Sequence, residues 1–355
     1  INDVRIISLC ARMKTLFRIP RLALIFSLLF LSSSALLAIC LGAANIPILV
    51  ILDFIIQIFS DDLEGSKLSE IEKTIILEWR LPRFALGALV GASLSVAGAG
   101  FQGVFRNPLA DPFLLGSAAG AGLGATLIIV TGMEASFFFL GSVQFGAFSG
   151  ALFAVITAAI ISSSAGRSTA SLLLSGVAVA AFLTACQTYL MQKNFVSIQE
   201  IYGWLIGRLL TSGWNEVLII LPYFLICFSI IYLYGRELDL LRLSEDEAKT
   251  LGGSPSQTKL VVISCASLMT AVAVSVSGLI AFVGLVIPHI IRLSVGSSYR
   301  IIIPLSAIVG GTFLSMADTF ARVVVSPAEL PIGVITAFLG APFFVVILRL
   351  SRGSI

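Results

Sequence analysis

The chain has 355 residues, of which 58% are hydrophobic and only 12% charged, with a formal net charge of +3. Soluble domains carry about 25% charged residues, so an ordinary water-facing surface is excluded, and a mean hydropathy of +1.06 marks a polytopic membrane protein. The small positive charge is what basic membrane edges produce, and it points to no nucleic-acid partner.

A bilayer core about 30 Å thick takes about 20 apolar residues per helix. Ten spans meet or approach that length, at about 22–42, 84–104, 113–131, 143–163, 170–190, 216–234, 259–278, 280–296, 302–322 and 332–350. The expected fold is all-α. A basic N-terminal tail covers 1–21, a tightly packed ten-helix domain covers 22–350, and a short tail covers 351–355.

Basic residues precede Leu22 as they would in a signal peptide, but no small-residue cleavage site follows, so this run is read as the first membrane helix. Met13 followed by Lys14 would make a translation start, and residues 1–12 are given no role. The second span opens at RLPRF, where Pro82 is expected to delay helix closure until just past it. Arg80 and Arg83 either snorkel to the interface there or bind something acidic. Gly87, Gly91, Ser95, Ala99 and Gly103 then recur every four residues, and Gly116, Gly120 and Gly124 repeat the pattern in the third span. Ridges of small residues let helix backbones approach closely, which is how helices associate in lipid.

After the sixth span, RELDLLRLSEDEAK (Arg236 to Lys249) holds eight charged side chains in fourteen residues. His289, the only histidine, follows Pro288 in the eighth span. One histidine cannot make a metal site, and a structural role in satisfying the carbonyl freed by the proline is expected over a ligand role. Asp318 and Arg322, spaced i, i+4 near the end of the ninth span, either pair with each other or leave Arg322 for a partner. Cys10, Cys40, Cys186, Cys227 and Cys265 show no metal or redox spacing and read as small buried hydrophobes.

Fifteen of the 22 Lys and Arg fall on the side that holds both termini, including Arg167, Arg352 and the charged island; Lys67 and six others fall opposite. The positive-inside rule therefore predicts cytoplasmic termini and a cytoplasmic loop over 236–258. None of the six lysines follows a glycine, so no phosphate-cradling G-x-x-x-x-G-K-[ST] loop exists, and H-E-x-x-H and G-x-S-x-G are absent as well. No acid sits mid-span as ion-coupled carriers usually require. These residues describe a transporter-like bundle without its own motor, with a self-sufficient secondary transporter or channel as the alternative.

The stretch from Arg80 to Ala125, containing RNPLADP, and the stretch from Gly278 to Phe344, containing FVGLVIPH, ADTFAR and AELPIGVITAFLGAP, resemble the FecCD family of ABC importer permeases. That family imports iron-siderophore complexes, haem or vitamin B12. The resemblance implies two permease subunits, a homodimer rather than a heterodimer, in the bacterial inner membrane. A dimer of ATPase subunits would use ATP and Mg below, and an extracytoplasmic binding protein would dock above. This chain itself would bind no cofactor or metal and catalyse nothing.

The resemblance also assigns residues. A coupling helix ending in A-x-x-L-G maps to Ala248, Leu251 and Gly252, with Glu245 and Glu247 ahead of them. Outer-face docking arginines map to Arg80, Arg83 and Arg322. The fifth span, GRSTASLLLSGVAVA onward, would line the path, with a gate at Thr169 and with Gln187 and Thr188 at its other end; where relatives can carry a second small hydroxyl residue, this chain has Ala170. Arg106, Asn107, Pro108, Asp111, Pro288, His289, Pro331 and Gly333 fall in the structural motifs. Ser298 stands where the family often has an acid, which puts one loop contact in doubt.

Overall fold

A computed structural model describes residues 20–42, 46–51, 53–54, 68–134, 141–166, 168–209, 213–243, 245–326 and 328–351. Readings that fall on residues 1–19, Lys67, Arg167 and Arg352 lie outside the described residues. In chain order the helices are α1 (Arg21–Cys40), α2 (Glu70–Val104), α3 (Ser117–Thr131), α4 (Ser142–Ser164), α5 (Thr169–Lys193), α6 (Ile198–Leu205) and α7 (Asn215–Leu233). They continue as α8 (Gly235–Leu240), α9 (Glu245–Thr250), α10 (Pro255–Ser277), α11 (Val283–Val295), α12 (Tyr299–Val323) and α13 (Ile332–Ser351). Among the described residues there is no strand. The ten predicted spans correspond to α1 to α5, α7 and α10 to α13, and seven of them are long and apolar enough to cross a bilayer. The short helices α6, α8 and α9 lie between spans.

One expectation fails at the second span. The helix does not wait for Pro82; it starts at Glu70, behind a capping box in which Ser69 N donates to Glu72 Oε2 at 2.8 Å and Glu72 N returns to Ser69 Oγ at 3.3 Å. Continuity through the proline comes from a π-helical turn over Ile75–Arg80, in which Leu81 N reaches back five residues to Ile76 O. In that register the partner of Leu77 O would be the N–H that Pro82 lacks. Trp214 supplies it instead, its indole Nε1 donating to Leu77 O at 3.2 Å.

The long helix α2 forms the centre of the bundle. Of its most apolar stretch 78% is buried, against 17% for α1 at the edge. The small-residue ridges explain how neighbours come so near. A Cβ on Gly91 would overlap the Gly310 carbonyl of α12, and one on Gly98 would overlap the Gly284 carbonyl of α11. Gly120 and Gly124 of α3 meet Gly150 and Gly146 of α4 in the same way. Around this frame the core is filled by Leu94, Phe101, Val262, Ile302 and Leu314, all fully buried.

Helices α3 and α11 have only 15 and 13 residues. At 1.5 Å per residue they span about 20 Å, less than the bilayer core. Irregular chain completes both, over 113–116 before α3 and 278–282 before α11, and Leu115 and Ile280 in these segments are at most 1% exposed. Non-helical backbone is tolerated at such depth because protein, not lipid, surrounds it. Two non-glycine residues in the irregular chain before these helices adopt left-handed backbone, Arg106 at φ 51° and Phe282 at φ 70°.

Candidate functional site

The charged island folds as two short helices joined by a turn. Leu238 and Leu241 are buried and anchor α8 beneath α2 and α12. Asp239 ties it further: its carboxylate accepts from Ser298 Oγ at 2.7 Å and from Tyr299 N at 2.9 Å, at the first turn of α12. Ser298, which stands in place of an acid, therefore makes a loop contact after all, as the donor. Helix α9 ends in a Schellman motif, with Gly253 N donating to Ala248 O at 2.8 Å and Gly252 N to Lys249 O at 2.9 Å. Gly252 sits at φ 83°, which is why the pattern needs glycine there. Ala248 is buried, whereas Leu251 is 55% exposed and projects from the cap. Glu247 is exposed; the side chain of Glu245 lies outside the described residues.

At the opposite end, the three arginines expected to dock a partner all have partners within the chain. Arg80 is 5% exposed and donates to Ile39 O and to Cys40 O, the latter at 3.2 Å. Arg322 donates to Ala38 O at 3.3 Å and Leu41 O at 3.4 Å. Together they satisfy carbonyls left unpaired at the end of α1 and complement its negative pole. Pairing also decides the Asp318–Arg322 question, since their side chains approach to 3.2 Å. The same Asp318, only 4% exposed, takes the Arg83 fork at 2.9 to 3.1 Å. Glu329 grips the other edge of that fork at 2.9 and 3.0 Å and is half exposed. Only Arg83 and Glu329 bring this network towards the surface, and Glu329 had no sequence signal beyond its place in AELPIG.

The motif loop after α2 is held by its own side chains. Asn107 Oδ1 accepts from Leu109 N at 2.9 Å, and Asp111 Oδ1 from Phe113 N at 2.8 Å. Burial pushes the Asp111 carboxyl up to about 6, against the lowering effect of that backbone hydrogen bond. Pro331 immediately precedes α13, and Gly333 has no side chain because the Ile206 carbonyl fills the space. His289 does not bridge the carbonyl that Pro288 frees; its Nδ1 is buried without a partner. Gln102 of α2 does that work, donating Nε2 to Gly284 O at 3.4 Å and Leu285 O at 3.1 Å.

Along α5 the residues expected on a path separate. Gln187 turns into the seam with α3, donating to Thr126 Oγ1 at 3.2 Å, and is buried. Thr188 lies on the exposed face with Ala170, Ala181 and Ala185. Thr169 is the first residue of the helix, beside Ser168, whose hydroxyl caps Ser171 N at 3.0 Å. None of the three expected residues borders the cavity of about 660 Å³ that opens beside α6 among Gln144, Gln199, Glu200, Trp204, Arg208 and Ser277.

Known proteins match along nearly the whole chain. The FecCD transport family pattern covers residues 28–350. The ABC transporter permease protein YvrB of Bacillus subtilis, itself uncharacterized, is 39% identical over 94% of this chain and 95% of its own. The hemin transport system permease protein HmuU of Yersinia pestis is 37% identical over 94% and 97%. The cobalamin import system permease protein BtuC of Halobacterium salinarum is 44% identical over 79% and 74%. A solved structure described as a metal-chelate type ABC transporter in an inward-facing conformation superposes with a TM-score of 0.79 at 30% identity, covering 93% of this chain and 99% of that one. With this helix order, these small-residue seams and that coverage, the chain belongs to the FecCD transport family and is the membrane-embedded permease subunit of an ABC importer.

Proposed function

We propose that this permease carries an iron-siderophore or a similar large metal chelate, with haem and cobalamin in the same class, through a path shared by two copies of the chain. An extracytoplasmic binding protein delivers the substrate, and a dimer of separate ATPase subunits, using ATP and Mg, drives alternating access in a bacterial inner membrane with both termini cytoplasmic. The names of the relatives support the substrate class, since they include hemin, cobalamin and Fe(3+)-citrate systems.

One observation carries the reading: α9 is capped at Gly252 and presents an exposed Leu251 on a base locked to α12 through Asp239. A knob on a rigid base transmits force, whereas a solvated loop would absorb it. We place α5 along the path, with Thr169 at one end and Thr188 at the other; its exposed face sets Ala170, Ala181 and Ala185 among Leu174, Val177 and Phe182, an apolar wall for a second copy to complete. Docking of the binding protein centres on Arg83, where an incoming acid would take the place of Glu329. Gly252 and Leu251 are the residues to test. In vesicles holding the complete transporter, Leu251→Asp should cut uptake at least tenfold while ATP hydrolysis persists; unchanged uptake would remove α9 from coupling. Uptake that continues without the ATPase would favour a self-sufficient carrier. A screen of the cognate binding protein against ferric siderophores, haem and cobalamin assigns the substrate.

A further inference from the structure

At the end of the bundle where α1 begins, a cavity of about 250 Å³ opens between the end of α2, the end of α11, the start of α12 and the turn after α8. Arg106, Arg242 and Arg292 line it together with Gln102, Ser297 and Tyr299, and among the described residues no carboxylate does. Arg292 donates to Gln102 Oε1 at 3.1 Å and to Tyr299 Oη at 3.0 Å, and Arg242 to Ser297 Oγ at 2.8 Å. All of these acceptors are neutral. Asp239, the acid that reaches Tyr299, has its two oxygens occupied by Ser298 Oγ and Tyr299 N.

Arg106 has no side-chain partner among the described residues, and its backbone is held in the left-handed region, where a non-glycine residue stays only if its surroundings insist. Each guanidinium carries five N–H donors, so most of the donors around this cup are uncommitted. Three positive charges on one concave wall create a strong potential for an anion.

Size and position narrow the anion. The cavity is below the roughly 300 Å³ at which pockets for drug-sized ligands begin, so it suits a compact group such as a phosphate. It lies at the level of the helix ends, where headgroups sit, and outside its lining an exposed leucine follows two of its cations in the chain. Leu293, next to Arg292, is 70% exposed, and Leu243, next to Arg242, is 40% exposed. A water-borne anion has no use for exposed leucines, whereas an anion carrying acyl chains does. We propose that this cup binds the phosphate of an anionic phospholipid, seating the headgroup between the motif loop, α11 and the island. The bound lipid would tie the loop at Arg106 to the turn at Arg242, two segments with no other charged link between them in the described residues.

The test uses the full-length permease in detergent, titrated with phosphatidylglycerol and separately with phosphatidylcholine, with retained lipid counted by native mass spectrometry. Phosphatidylglycerol should be retained preferentially, and Arg106→Gln and Arg292→Gln should each lower its affinity about fivefold, as expected for one arginine near an anionic surface. Arg349→Gln, an exposed arginine of α13 at the same end, should leave it unchanged. Melting temperatures of the variants separate loss of binding from loss of fold. Excess inorganic phosphate provides the second arm: if it displaces the lipid in wild type, the phosphate chemistry stands and the source is a soluble ion. Equal retention of both lipids, or no effect of the two cavity variants, overturns the site. Weakened ATPase binding with lipid retention unchanged would make the cup a protein contact and overturn it as well.

Discussion

Asp318 stands between two arginines, and replacing it by Asn would leave Arg83 with Glu329 alone and Arg322 with neutral acceptors alone, the Ala38 and Leu41 carbonyls and the Thr319 hydroxyl. Removing one member of a buried ionic group costs about 3–5 kcal/mol, because the charge left behind stays desolvated. Asp318→Asn should therefore lower the melting temperature of the purified permease sharply. Glu329→Gln, at a half-exposed position, should cost less than about 1 kcal/mol. Equal losses would mean that the network does not depend on burial. Asp111 gives a pH test. A folded-state carboxyl raised to about 6 favours the protonated form, so its contribution to stability is full below the ordinary aspartate range and is lost as pH rises through about 6. Asp111→Asn should flatten that decline in melting temperature, which runs from about pH 4 to just above about pH 6. Some of these roles were legible and others were not, for a physical reason. Gly252 announces its αL cap within five residues, whereas Gln102 and Asp318 act on partners more than 180 residues away in the chain, and no local pattern records such contacts.

Among the elements, helix seams offer the sharpest contrast. Adding one methyl at Gly98 would drive α2 into the Gly284 carbonyl of α11, where no flexible side chain can yield. Gly98→Ala should destabilise by about 3 kcal/mol or prevent assembly. Around Gly203 in α6 the space a methyl would take is open to 4 Å, so Gly203→Ala should be neutral or stabilise by about 0.5–1 kcal/mol. Thermal unfolding of the two variants in one detergent checks both. The spacing of Gly87, Gly91, Gly120 and Gly124 made the seams readable, because a face of small residues has one use in lipid. The helical start at Glu70 was not readable. Rules about proline concern α-helical hydrogen bonds, and the chain meets Pro82 with a π turn and an indole donor brought from Trp214. The shortening of α3 and α11 escaped for a related reason, since buried irregular chain is as apolar as helix.

For the whole molecule, hydropathy located ten spans and the long motifs located the family, because both are properties of contiguous sequence. What hydropathy cannot convey is which span is central: α2 and α1 are both apolar, yet one is largely buried in protein and the other open at the edge. Two arginines donate to the final carbonyls of α1 and seal its end, and these differ in when they are made. Arg80 follows Cys40 by 40 residues, but Arg322 follows Ala38 by 284. During synthesis the first helix thus waits for nearly the last one before its end is fully sealed. Birth order and assembly order run opposite ways at this corner, and in a chain cut short of α12 the end of the opening helix keeps the Arg80 clasp and the apolar packing of Ile39 against Ile76 but lacks its second arginine.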